Sequence, residues 1–170
     1  MPAENFHLIY DFETAIPAGF KSLFFIEEKI TVLVPDDGPA NEQPRPRIEM
    51  YFATGAETGH LRPSAPYFRP DAFMGSLALK VVSNTKPADV GTKEHAAFVS
   101  LVRNMLAKAS TLFKADRDAA DVNGYLPYHS IDSVVSTGSS PHYEGQDGYY
   151  ETDMSFDLRF SIRPDAWPSE

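Results

Sequence analysis

The stretch that decides the fold is Met154 to Ile162, which reads MSFDLRFSI. Its apolar side chains fall on every second residue, and serine, aspartate and arginine side chains occupy the positions between them. Because successive side chains of a strand point to opposite faces of a sheet, this alternation predicts a strand. One face of that strand lies on a core and the other is polar, so the fold contains a sheet that buries one of its faces.

Weaker forms of this pattern predict further strands earlier in the chain. Residues 30–34 are rich in β-branched side chains, which favour extended backbone, and residues 24–26 are a shorter apolar segment of the same type. The complete set with alternating or β-branched apolar residues is 30–34, 47–52, 77–81, 131–135 and 154–162.

Two segments have helical spacing instead. Residues 3–16 repeat apolar side chains at helical intervals, and a Pro-Ala-Gly triplet at 17–19 is expected to end that helix. A longer helix is predicted over residues 93–113, with Thr92 as its N-cap. Its apolar stripe, which we expect to face the core, consists of Phe98, Leu101, Val102, Met105, Ala109 and Leu112.

This order of elements predicts a single α+β domain over residues 1–170. We expect a mixed, mostly antiparallel sheet of four to five strands packed by two helices, with long projecting loops. The extended polar loops are predicted at 36–46, 54–71 and 137–150, and a short tail at 164–170. A loop as long as 54–71 inside a compact domain is usually functional.

Composition excludes several classes of protein. The chain contains no cysteine, so disulfides, zinc ribbons and thiol catalysis are ruled out. A net charge of −9 argues against binding DNA through its phosphates. The amino terminus lacks the pattern of a secretory signal and the apolar runs are too short for a membrane span, so we expect synthesis in the cytoplasm and no membrane partner.

Motifs of catalysis and metal binding are also absent. The chain has no phosphate-binding loop and no zinc-protease motif. The aspartate-rich run at 116–121 does not match a calcium loop, because its sixth position is Asp121 and a calcium loop has glycine there. We therefore predict no catalytic residue, no cofactor and no metal. A cluster of His60, His129 and His142 with Asp71 or Asp147 stays open as an alternative, although surface-loop histidines are the expectation.

One combination of segments goes beyond a generic α+β domain. The strand Arg47–Phe52 runs into Thr-Gly-Ala-Glu-Thr-Gly at 54–59, and the long helix is followed by Ile131–Gly138 and by Asp147-Gly148 before the last strand. This order, over roughly residues 3–163, resembles the tail terminator family of long-tailed phages, which includes lambda's minor tail protein U.

The resemblance implies a structural virion protein without enzymatic activity. Such a protein forms a homo-oligomeric ring, typically a hexamer, which caps the completed tail tube and joins it to the head connector or stopper protein. It would be assembled in the cytoplasm of the host bacterium and would reside in the neck region of the virion. DNA would only pass through its channel, and the negative charge would keep phosphate from adhering to the wall.

Two loop segments are the predicted subunit or partner contacts. Aromatic side chains occur in both, and the first also has two arginines; both residue types are enriched in interface cores. The first segment contributes Thr54, Glu57, His60, Arg62, Tyr67, Phe68, Arg69 and Asp71, and the second contributes His142, Tyr143, Tyr149 and Tyr150. Two other functions remain open: a tail tube or other neck subunit, and a small cytosolic enzyme or ligand-binding domain.

Overall fold

A computed structural model describes residues 12–39, 43–54, 72–87, 92–112 and 129–162. Within these ranges the chain forms two helices, six strands and one short 3-10 turn at Pro35–Asp37. The helices are α1 (Phe12–Glu28) and α2 (Lys93–Leu112). The strands are β1 (Thr31–Leu33), β2 (Arg47–Ala53), β3 (Ala72–Val82), β4 (His129–Ser139), β5 (Tyr143–Glu144) and β6 (Tyr150–Ile162).

The strands form one mixed sheet in the order β1-β2-β3-β6-β4, and β5 adds to β6 at one end. Only β1 and β2 pair in parallel, and every other pairing is antiparallel. The predicted α+β class is therefore confirmed, and so is the mostly antiparallel sheet packed by two helices. The strand count exceeds the expected four to five because β5, only two residues long, pairs with β6.

The alternating segment at 154–162 lies in β6, an interior strand of this sheet. β6 pairs along its length with β3 on one side and with β4 on the other. Its side chains at Met154, Phe156, Leu158 and Phe160 are buried, as the pattern predicted. They point to the face covered by the helices, which we call the inner face, and the opposite face is called the outer face.

Helix α1 differs from the prediction in both its position and its length. It continues through Pro17 to Glu28, so the expected stop at 17–19 and the expected extended segment at 24–26 are both wrong. Proline costs about 3 kcal/mol inside a helix, but burial of a large apolar side chain contributes about 1.5–3 kcal/mol. Several such side chains recur at helical spacing and outweigh the proline: Phe12, Ile16, Phe20, Leu23 and Phe24. The predicted helical residues 3–11 lie outside the described residues.

Helix α1 ends in a left-handed cap. Lys29 has a φ of 56°, and its backbone N–H donates to the carbonyl of Phe25 over 2.9 Å. This geometry satisfies a carbonyl of the last turn and turns the chain toward β1, which confirms the strand expected at 30–34. Helix α1 then packs against β1 and β2.

Helix α2 was predicted at 93–113, and the structure places it at Lys93–Leu112. Its buried side chains Val99, Val102, Met105, Leu106 and Ala109 pack on the inner face, chiefly against β4. They join the apolar side chains of α1 and the sheet in one core. Neither helix of the described part of the chain has the length and hydrophobicity that a bilayer crossing requires.

The segment 137–150, for which the sequence predicted an extended, hairpin-like polar loop, forms a hairpin with paired strands. β4 extends to Ser139, and Tyr143 and Glu144 pair with the start of β6. The backbone N–H of Ser140 donates to the carbonyl of Asp153 over 2.8 Å, so hydrogen bonds continue beyond the end of β4. Serine and glycine in this segment suggested a loop, but the partner strand satisfies their backbone groups.

Candidate assembly surfaces and a buried histidine cluster

The outer face of the sheet has no helix on it among the described residues. One row of paired residues crosses four strands there, from Tyr51 through Ala78 and Ser155 to Gly138. The next row along the strands places Ser76 between Tyr51's strand and β6. The first row has only small side chains beyond Tyr51, whereas the second row has the exposed Asp157 between Ser76 and Val135.

Two large apolar side chains lie at the ends of these rows. Tyr51 on β2 is 54% exposed, and Val135 on β4 is 57% exposed. Three strand spacings of about 4.8 Å and two residues of about 3.4 Å along the strands separate these positions, so Tyr51 and Val135 lie about 16 Å apart. We call this region the outer trough, with Tyr51 and Val135 at its two sides and a floor of Ser76, Ala78, Ser155, Gly138 and Asp157. A cavity of about 400 Å³ lies along the row from Tyr51 through Ala78 and Ser155 to Gly138.

A second exposed apolar patch lies in the helix layer. Phe25 is 56% exposed and Ile26 is 55% exposed, both in the last turn of α1. We call these two residues the α1 tip. The ammonium of Lys29 lies 5.3 Å from the centroid of the Phe25 ring, which leaves most of the ring accessible.

Three residues from distant segments meet in a hydrogen-bonded cluster under the hairpin. Thr152 on β6 lies between two histidines: its Oγ1 is 2.7 Å from His95 Nε2 and 2.7 Å from His142 Nδ1. His95, in the first turn of α2, is fully buried, as is Thr152. The ring of His95 also stacks on Tyr150, with centroids 5.3 Å apart, and meets the His142 ring edge-on at 4.8 Å.

The environment of His95 favours its neutral form. Burial, and secondly the nearby charge of His142, lower the pKa of His95 from 6.5 to about 4. His95 Nδ1 is buried without a hydrogen-bond partner among the described residues. An orphaned N–H is rarer in proteins than an orphaned acceptor, so His95 carries its proton on Nε2 and donates to Thr152, whose hydroxyl donates to His142.

The hairpin is also attached to the loop that precedes β2. Arg45 forms an ion pair with Asp147, and its guanidinium lies 4.0 Å from the centroid of the Tyr149 ring. Lys86 approaches the same ring at 4.9 Å. Burial would raise the pKa of Asp147, but the hydrogen bond and charge of Arg45 outweigh it and hold that pKa below its ordinary value. These contacts join three segments that are distant in the sequence.

A polar cavity of about 450 Å³ opens between the hairpin and β2. Charged groups of both signs line it, and most of them pair with one another. Arg47 Nε is 3.5 Å from Glu49 Oε2, and Lys80 Nζ is 4.0 Å from Glu151 Oε2. The Tyr143 hydroxyl, whose pKa is raised by burial and then by its hydrogen bond to Asp153, donates to that carboxylate over 2.8 Å.

The predicted contact residues divide into two groups. Glu57, His60, Arg62, Tyr67, Phe68, Arg69 and Asp71 lie outside the described residues. Thr54 is described, and its backbone N–H lies 3.5 Å from Glu13 Oε1. His142, Tyr143, Tyr149 and Tyr150 all make contacts within their own chain. Their role in contacts between subunits stays a prediction.

Two of the three described histidines do not occupy the surface positions expected of them, whereas His142 is exposed. His95 and His129 are buried, and His129 packs against the rings of Phe12 and Phe160. His129 pairs with Ile162, ten residues along β6 from the threonine that holds His142, so about 30 Å separates these two histidines. The structure therefore does not bring them into one cluster. In the described part of the chain, no group of three His, Asp or Glu side chains could hold a metal ion.

Four of the residues that form these surfaces were missed from the sequence. Tyr51 and Val135 lie in the predicted strands at 47–52 and 131–135, but neither was among the predicted contact residues. Phe25 and Ile26 were assigned to a strand when they belong to a helix. The available signal was the spacing of Phe20, Leu23 and Phe24, which leaves Phe25 and Ile26 on the opposite side of a helix.

No protein-family model matches this chain, and no curated protein is significantly similar to it.

Proposed function

We propose that this chain is a structural subunit of a phage neck, a tail terminator that closes the finished tail tube. The observation that carries the proposal is the presence of exposed large apolar side chains on two different layers of the domain, Tyr51 and Val135 on the sheet and Phe25 and Ile26 on α1. The outer trough lies on the sheet face that no described helix covers, and the α1 tip lies in the helix layer. A subunit that binds copies of itself head to tail needs two different surfaces of this kind.

The rigid body between these surfaces also suits assembly. One core joins both helices to the sheet, and β6 is paired on both sides. The hairpin, which lies at one end of the sheet, is held by Arg45 and by the Thr152 hydrogen bonds. A subunit with fixed surfaces loses little conformational entropy on binding, which favours a ring of defined geometry.

The acidity of the chain has a role in this proposal. The net charge is −9, and a ring multiplies that charge by the number of its subunits. If acidic side chains line the channel, they repel phosphate and let DNA pass without adhering. A ring whose lumen is neutral or basic contradicts this part of the proposal and leaves the capping role intact.

Electron microscopy of lysates from a phage that lacks this gene tests the function. We expect headless tails longer than those of the wild type, because nothing stops tube growth when the tube reaches its length. Supplying the protein from a plasmid should restore joined particles. An absence of any tails supports the tail tube alternative, and tails of normal length joined to heads contradict both virion functions.

The polar cavity of about 450 Å³ favours one alternative from another class, a small-ligand-binding domain. The double variant Glu49→Gln, Glu144→Gln removes two negative charges from its lining. We expect plaque formation to be unchanged, because the cavity has no part in capping. Loss of plaques by a variant that still folds and oligomerises would support the ligand-binding alternative.

A further inference from the structure

We propose that residues 140–144, the part of the hairpin that contains His142, form a pH-sensitive latch that protonation of the buried histidine cluster releases from α2. We call these residues the latch arm, and the cluster consists of His95, Thr152 and His142. At neutral pH the arm is fastened to the body, and in mild acid it opens while the sheet stays folded. This inference goes beyond the proposed function and does not depend on it.

The order of donors in the cluster is the first argument. His95 Nε2–H donates to the Thr152 hydroxyl, and that hydroxyl donates to His142 Nδ1, each over 2.7 Å. A proton added to His142 Nδ1 turns this acceptor into a donor, so the Thr152 hydroxyl loses the acceptor of its own hydrogen. If His95 instead moves its proton to Nδ1, that N–H has no partner among the described residues. Either arrangement leaves a donor unsatisfied on a fully buried residue, so the closed cluster fits only two neutral rings.

The position of His95 is the second argument, because it disfavours a charged ring. His95 lies in the first turn of α2, where the partial positive charge of the helix terminus opposes a cation. Burial, and secondly the charge of His142, lower the pKa of His95 to about 4. Its ring contacts are Tyr150 and His142, and neither of these is a carboxylate.

The other ionisable groups on the elements around His95 do not offset this. They are Lys86, Lys93, Glu94, Arg103, Asp132, Glu144, Asp147, Glu151 and Asp153. Those on α2 and β4 are exposed, and the two acids on β6 alternate with Thr152 and so lie on the outer face. Glu144 and Asp147 line the polar cavity on that side, and Lys86 lies against the Tyr149 ring.

The latch arm is the weaker side of this contact. His95 belongs to a helix packed on the core, and Thr152 pairs with β3. The arm has only the two-residue β5 and the hydrogen bonds between Ser140 and Asp153. Although burial alone would raise the pKa of Asp147, Arg45 holds it below its ordinary value, so their ion pair persists at about pH 5 and keeps the far end of the hairpin in place.

The size of the effect follows from the ring of His95. The exposed His142 meets this ring edge-on at 4.8 Å, so opening the arm brings water to it and returns its pKa from about 4 to 6.5. Because the closed form has the lower pKa, it is disfavoured as pH falls from 6.5 toward 4. Lowering the pH from about 7.5 to about 5.0 therefore raises the ratio of open to closed arm about 30-fold.

Amide hydrogen exchange, corrected for the intrinsic rate at each pH, tests the latch. The Ser140 N–H donates to the Asp153 carbonyl and reports on the arm, whereas the Leu158 N–H, on β6 between two paired strands, reports on the body. Between about pH 7.5 and about pH 5.0 the protection of Ser140 should fall about 30-fold and stay at least about tenfold below that of Leu158. Equal protection of both amides, with equal sensitivity to urea, overturns the proposal, because the arm then opens only when the whole domain unfolds.

Two variants separate the titrating ring from its surroundings. His95→Gln keeps a hydrogen bond to Thr152 and does not titrate, so the protection of Ser140 should change less than about threefold between the two pH values. Glu94→Gln, at the exposed neighbouring position, is the matched control and should keep the fall of about 30-fold. A full fall in His95→Gln, or no fall in the wild type, also overturns the proposal.

Thr152→Val tests the cluster at neutral pH without altering a histidine. Valine has the shape of threonine but no hydroxyl, so the protection of Ser140 at about pH 7.5 should fall at least about fivefold. The control Thr137→Val, at an exposed hydroxyl of β4, should leave that protection unchanged. Unchanged protection in Thr152→Val overturns the latch whatever His95→Gln shows. None of these measurements involves phage particles, so their outcome is separate from that of the function test.

Discussion

The buried histidine of α2 leads to a quantitative prediction about pH. The change is His95→Gln, because a glutamine side chain places an amide near the position of His95 Nε2. That amide can keep the hydrogen bond to Thr152 Oγ1, which spans 2.7 Å in the native protein, but it does not titrate. The variant therefore separates the charge of the histidine from its packing and its hydrogen bond.

The magnitude follows from the change in pKa on folding. The pKa of His95 falls from 6.5 to about 4 because the ring is buried and because His142 lies next to it. Between these values the unfolded chain binds a proton that the folded chain does not, so the free energy of unfolding falls as pH falls from 6.5 toward 4. At about 1.36 kcal/mol per pKa unit, lowering the pH from about 7.5 to about 5.0 removes about 2 kcal/mol.

Urea denaturation of both proteins at these two pH values measures the difference. With a denaturant slope of about 2 kcal/mol per molar, the unfolding midpoint of the wild type should drop by about 1 M more than that of His95→Gln. Asp37, whose pKa is lowered by its hydrogen bond to Lys21, and Asp147, whose pKa is also lowered, change the free energy of unfolding at lower pH. Both proteins have these two carboxyl groups, so their effect cancels in the comparison. Equal drops for the two proteins, or an NMR titration of His95 near pH 6.5, would refute the reasoning.

Three further predictions concern stability. Thr152→Val leaves His95 Nε2 and His142 Nδ1 without their hydrogen-bond partner and should lower the free energy of unfolding by about 1–3 kcal/mol in a urea titration. The control variant Thr137→Val removes an exposed hydroxyl that bonds Ser155 and should change the free energy of unfolding by less than about 0.5 kcal/mol. Lys29→Gly relieves a left-handed residue and should raise the free energy of unfolding by about 1 kcal/mol, and a lower value would contradict the cap. Leu158→Ala empties a fully buried position on β6 and should cost about 2–5 kcal/mol, seen in calorimetry as a fall of the melting temperature by roughly 2–4 °C per kcal/mol.

The elements with the most regular patterns were predicted well. The strand at 154–162 and the helix at 93–113 are close to β6 and α2, because both signals depend only on which residues of one segment face the core. The strand predicted at 47–52 is found for the same reason, since Ile48 and Met50 are fully buried. Local periodicity is sufficient wherever one face of an element is buried and the other is exposed.

Helix α1 shows where local reasoning failed. Pro17 is a strong local signal for the end of a helix, and Phe24 to Ile26 is a plausible short strand. The core decided otherwise, since a continued helix places Phe20, Leu23 and Phe24 together against β1 and β2. The balance between one lost backbone hydrogen bond and three buried side chains depends on the tertiary structure.

The sequence by itself therefore determined the α+β class, the interior strand β6, the long helix, and the absence of thiol chemistry. These properties depend on composition and on periods of two or about 3.6 residues, which are local. Only the tertiary structure decided that His95, Thr152 and His142 share one cluster, and that Tyr51 and Val135 stand on either side of a trough. Such neighbours are set by the register between strands that are far apart in the chain, and one segment read alone contains no information about that register.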